Sequence, residues 1–199
     1  MANTQGMKLV LAAGLVALAA GCGGTKTVTV TNTVTHVRTV TVQKPAATTT
    51  STTAATACSA SELKGTFTEI PGSPGAGQIS YRLTLTDTGS SPCFVSGIPQ
   101  VQLLGTTGAA LPTSASAEPG QGAGGKVSLQ PGDSATADAR FSPDVPGQGD
   151  SQQPGPCEPT ATVLRVTAPG GGTLDAPVQP PTPVCERGSL HFRPFTAAS

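Results

Sequence analysis

Residues 79–86 alternate without a break: Ile79, Tyr81, Leu83 and Leu85 fall on one face, Ser80, Arg82, Thr84 and Thr86 on the other. A period of two fits a half-buried strand and no helix. The pattern returns at 134–141, where Ala135, Ala137, Ala139 and Phe141 alternate with Ser134, Thr136, Asp138 and Arg140. Shorter versions carry Val101 and Leu103, Val127 and Leu129, Leu164 and Val166, and Leu190 and Phe192. Turn signals separate these pieces: TGSSP at 88–92, Pro131-Gly132-Asp133, and Pro169 with three glycines behind it. Short strands at this spacing predict an all-β fold, an antiparallel Ig-like β-sandwich.

Such a sandwich has little to bury. Aromatic residues are 3% of the chain, with no Trp and one Tyr, while 25 glycines and 19 prolines keep helix scarce. A small core needs covalent ties. Four cysteines, Cys58, Cys93, Cys157 and Cys185, fall at strand ends or in loops. They admit three connectivities. The preferred one is Cys58–Cys93 with Cys157–Cys185, each bridge closing a loop of roughly thirty residues and stabilising by about 3 kcal/mol. Metal binding fails on spacing, since there is no C-x-x-C and no histidine near them.

A fifth cysteine has another purpose. Lys8 is followed by an uncharged run over 9–20, too short for a bilayer span of roughly twenty residues and suited to a signal-peptide core. Ala20-Gly21-Cys22 resembles a lipobox, with Ala19 where a larger residue is usual and Leu18 one position further back. Lipidation of Cys22 explains the odd cysteine count and leaves four thiols to pair. Residues 1–21 are therefore expected to be a lipoprotein signal peptide, and the protein to sit on the cell membrane facing outside the cytoplasm. Met1 and Met7 are both possible starts, Met7 giving the tidier leader.

Residues 22–57 comprise the lipidated cysteine and a Thr/Val/Ala-rich low-complexity tether. Its first half alternates Thr and Val but carries no turn to pair it, and its second half, 45–57, resembles an O-glycosylated stalk. A disordered, extended spacer is expected, reaching at most about 120 Å. His36 has no candidate co-ligand nearby. The domain is expected over 58–199.

Charge separates the two parts. From Cys58 onward there are seven basic and eleven acidic residues, leaving −4. A domain without a basic cluster is poorly suited to nucleic acid, whose binding rests on neutralised phosphates.

The run LTLTDTG at 83–89, then Ser91-Pro92-Cys93, Gly97-Ile98-Pro99 with Val101, and Leu129, Pro131-Gly132 and Ser134-Ala135 together resemble the domain of unknown function 4232 family. Asp87 stands where that family commonly has Asn, and Ile98 where it commonly has Tyr. The resemblance covers most of 58–195 and implies a β-sandwich in actinobacterial cell-envelope lipoproteins. It implies no activity and supplies no catalytic residue.

No enzyme emerges from the residues. His191 is the domain's one histidine and alternates with Leu190 and Phe192, so it is expected to face solvent. No nucleophile elbow, phosphate loop or metal-binding helix is present. A carboxylate pair remains open, with Asp144, Asp150 and Glu158 in or beside the Pro/Gly-rich loop at 142–159. That loop and 115–125 are expected to be solvated irregular insertions. The reading is a non-enzymatic envelope lipoprotein with no cofactor, which binds an envelope protein or a wall polymer. The alternatives are a spacer without a ligand and, third, a hydrolase using a carboxylate pair.

Overall fold

The computed structural model describes residues 55–151, 153 and 155–198. The leader, Cys22, His36 and nearly all of the tether lie outside these residues. Twelve strands follow in order: β1 (Thr56–Ala57), β2 (Leu63–Glu69), β3 (Ile79–Asp87), β4 (Cys93–Ser96), β5 (Gln100–Gly105) and β6 (Ser114–Ala117). Then come β7 (Lys126–Leu129), β8 (Ser134–Phe141), β9 (Ala161–Thr167), β10 (Thr173–Thr182), β11 (Ser189–Phe192) and β12 (Thr196–Ala197). Among the described residues no helix is long and apolar enough to cross a membrane.

Nine strands form one ladder in the order β5-β9-β10-β2-β3-β8-β11-β6, with β12 also on β8, and β1-β4-β7 form a second sheet. The fold is an all-β sandwich. Three seams run parallel: β1 with β4, β10 with β2, and β6 with β11. Each joins strands distant in sequence, as parallel pairing requires. The β10–β2 seam is only two residue pairs long, Val178 with Phe67 and Gln179 with Thr68. The far strand, β5, is tied back toward the chain leading into β6. Leu103 N–H donates to Thr113 Oγ1 at 2.9 Å, and Gln102 Nε2 donates to Leu111 O at 2.6 Å. That contact covers the free side of β5.

The alternation read from the sequence sets the layers. Tyr81, Leu83 and Leu85 of β3 and Ala135, Ala137, Ala139 and Phe141 of β8 are all buried, and their neighbours along each strand face outward. Against them stand Leu103, Leu164, Val166 and Ala176 from the β5-β9-β10 arm. The aromatic side chains gather at one spot: Tyr81 packs on Phe67 and on Phe141, with centroids 5.1 and 5.3 Å apart. The alanines on β8 let β3 and β8 bury a thin layer without large side chains, which fits a chain this poor in them.

Cys58 and Cys93 form one disulfide, with Cα atoms 4.9 Å apart, and Cys157 and Cys185 form the other, with Cα atoms 5.5 Å apart. The first fixes β1 beside β4. The second fixes the long loop to the turn before β11.

The two insertions are irregular and largely exposed, as expected, but each is anchored at a few points. Residues 114–117 form β6, an edge strand on β11. The 142–159 loop folds back on the chain. Ser142 caps it through Val145 N–H at 3.0 Å, and Asp150 is buried inside it. A buried carboxylate surrounded by backbone N–H groups leaves no signal in local hydrophobicity.

Candidate functional site

The outward side chains of β3, β8, β11 and β6 form one polar surface. Ladder register puts Ser80, Arg140, His191 and Ser116 in a single row across these four strands. At a strand spacing of about 4.8 Å the row is roughly 14 Å wide. The adjacent row holds Arg82 opposite Asp138, with Arg193 N–H donating to Asp138 O at 2.8 Å.

Two walls rise over this floor. One is the hairpin turn between β2 and β3, where Gly75 bridges to Gln78. Ala76 and Gly77 have φ of 51° and 74°, the left-handed geometry that a tight two-residue hairpin needs. The other wall is Glu118 and Pro119, just beyond β6. Between them lie two cavities of about 360 and 320 Å³, both lined by Gln78, Arg140 and Glu118. The first also takes in Ser73, Ser80, Asp138 and Arg193, the second His191.

Three arginines stand at this groove in unequal situations. Arg82 forms a fork on Asp138, with Nε and Nη2 donating at 2.7 and 2.9 Å. Arg193 Nε donates to Glu118 at 2.6 Å. The hydrogen bond and the charge of each carboxylate raise the pKa of its arginine. Among the described residues no carboxylate pairs with the exposed Arg140. Both ring nitrogens of the partly exposed His191 face serine hydroxyls, Nδ1 at 3.0 Å from Ser116 Oγ and Nε2 at 3.5 Å from Ser189 Oγ. His191 thus lies on a strand between buried Leu190 and Phe192, as its alternation indicated, but on the floor of a groove.

A second cluster surrounds Asp150. Its carboxylate accepts the backbone N–H groups of Gly147, Glu186 and Arg187, those of Gly147 and Arg187 at 2.8 and 2.7 Å. Glu186 and Arg187 both have positive φ, 54° and 55°, so their successive N–H groups turn to one side. That arrangement is a nest for an anion, and Asp150 supplies the anion. Burial pushes the Asp150 pKa up, but the N–H donors and a hydrogen bond from Glu158 outweigh it and hold it below its ordinary value. Glu158 is raised by its own burial, then by the hydrogen bond to Asp150 and by the Asp150 charge.

The structure therefore brings together Asp150 and Glu158 of the acids singled out in the sequence, and leaves Asp144 exposed outside the pair. The pair faces the backbone turn at Cys185–Gly188. Asp150 also lies within 4.8 Å of the Cys157 and Cys185 sulfurs, but both are spent in their disulfide. Asp87 is buried too. Its Oδ1 accepts Gly89 N–H at 2.7 Å and closes the turn after β3, which accounts for an acid in the core.

Sequence reasoning reached His191 but missed the groove. Arg140, Gln78, Glu118 and Arg193 come from four separate segments, and only the ladder places them side by side. The outward alternation of β8 was the signal available for Arg140.

Fold, disulfides and groove define a small all-β sandwich held by two covalent ties. Residues 58–196 match the family described as Domain of unknown function (DUF4232), and the chain belongs to it. No curated protein and no solved structure matches the chain.

Proposed function

We propose that this protein is a cell-envelope lipoprotein, anchored by Cys22 on the outer side of the membrane, whose sandwich binds a partner through the β3-β8-β11-β6 groove. The observation that carries this reading is the groove itself. Two adjoining cavities share a floor of hydrogen-bonding side chains, and among the described residues no carboxylate pairs with Arg140, whose guanidinium side chain lines both. The short apolar leader and the odd cysteine support the anchor, and thirty-five residues of low-complexity chain between Cys22 and Cys58 suit a domain held clear of a membrane.

We read the domain as non-catalytic. Serine chemistry needs a histidine oriented by a carboxylate, whereas His191 has a serine on each nitrogen. The Asp150–Glu158 pair is the observation that would favour a carboxylate hydrolase. The Asp150 oxygens are committed to three backbone N–H groups, so the pair holds a turn in place.

Two experiments test the reading. Palmitate labelling and membrane fractionation should both be lost on Cys22→Ala, and unchanged labelling would remove the anchor. Ser80→Trp, at an outward position on the groove floor, should abolish capture of the envelope partner by the anchored protein while its melting temperature is kept. Undiminished capture would move the binding surface elsewhere.

A further inference from the structure

Resting on that reading, we infer that the groove takes an extended, hydrophilic wall polymer and seats one of its acidic groups, a carboxylate or a phosphate, on Arg140. Guanidinium is the group best matched to either anion, since its planar fork can donate two parallel N–H bonds. Arg82 and Arg193 already spend theirs on Asp138 and Glu118. Arg140 lies one row over from both ion pairs and lines both cavities.

The surroundings specify more than an anion. Gln78, Ser80, Asp138 and Glu118 offer amide, hydroxyl and carboxylate groups that suit the hydroxyls of a saccharide or polyol. Protein partners are normally held by anchors such as Trp and Tyr in a desolvated patch, and neither cavity has a Trp, Tyr or Phe in its lining. An acidic protein segment is therefore the less suitable occupant. Charge also limits density: the domain carries −4 from Cys58 onward, so a polymer with an anion at every unit would be repelled. A chain with sparse acidic substituents fits.

The test is a titration of the anchored chain in detergent micelles, followed by NMR at the side-chain amide of Gln78, which lines both cavities and is kept in every variant. Three probes of one shape separate the possibilities: glucuronate for a carboxylate, glucose 6-phosphate for a phosphate, and glucose as the neutral reference. One of the two acids should bind, and whichever does names the anion. Arg140→Gln should weaken that binding about tenfold or more, Arg140→Lys less, and Lys64→Gln, at a cation outside both cavities, not at all. Arg140→Gln should leave glucose unaffected. Equal response to glucose, or an acid response that survives Arg140→Gln, would overturn the inference. So would a short acidic peptide that binds more tightly than either sugar acid. Partner capture that Ser80→Trp abolishes but Arg140→Gln does not would leave the groove as a binding surface and remove only its anion preference.

Discussion

Arg140 of β8 and His191 of β11 stand directly opposite each other in the antiparallel ladder, and His191 continues the row to Ser116 of β6. His191 has hydroxyls on both nitrogens, while Arg140 in the same row has no ion-pair partner among the described residues. The pairs Arg82–Asp138 and Arg193–Glu118 in the adjacent row neutralise the other two arginines of the groove.

Those two ion pairs should matter little to stability. Both arginines are at least half exposed, and exposed ion pairs are worth about 0–1 kcal/mol. Arg82→Ala and Arg193→Ala should each shift the urea midpoint by the equivalent of less than about 1 kcal/mol. A larger loss would make the pairs structural members.

Asp150 should matter more. It satisfies three backbone N–H groups around the left-handed pair Glu186 and Arg187. Asp150→Ala should cost about 2 kcal/mol in chemical denaturation, because buried donors lose a charged acceptor.

The two acids of this cluster should respond to pH in opposite senses. The Asp150 pKa is lowered in the fold, so its contribution is present above the ordinary carboxylate range and is lost as pH falls through the folded value. The Glu158 pKa is raised, so its contribution is present at low pH and is lost as pH rises through the elevated value. Glu158→Gln should therefore stabilise the protein at neutral pH, measured as a higher melting temperature at pH 7 than at pH 4 relative to the parent. A lower melting temperature at pH 7 would show that the ionised Glu158 is favoured.

Tyr81 should titrate late. Burial first, and the nearby Glu69 charge second, push its hydroxyl up to about 12. Absorbance near 295 nm should show no phenolate until the pH approaches that value. Because the pKa is raised, the stabilisation is complete below the ordinary tyrosine range and is lost as pH rises toward about 12. Tyr81→Phe removes the hydrogen bond to Pro180 O and should cost about 1 kcal/mol.

Gly188 should resist replacement. Its φ is 75°, and a Cβ there would land on the Pro112 carbonyl oxygen. Gly188→Ala should cost more than about 3 kcal/mol, or prevent recovery of folded protein.

Much of the fold was legible because β3 and β8 alternate cleanly and turn residues end them. β10 was not legible, since Pro177, Pro180 and Pro181 interrupt its pattern; it forms anyway, with Leu174, Ala176 and Val178 inward. β2 was hidden by Gly65, which sits where Ala176 and Leu174 approach the backbone and leave almost no room for a side chain. The buried Asp150 was invisible for a different reason, because two of its three backbone partners are thirty-six and thirty-seven residues away. The groove depends on strand order, and period-two patterns fix faces without fixing neighbours.

The most direct measurement places a photo-crosslinking residue at Gln78 of the anchored protein in its native envelope, with Thr173 on β10 as the reference position. The account predicts a defined envelope adduct from position 78 and none from position 173. Equal capture from both positions, or from neither, would contradict it.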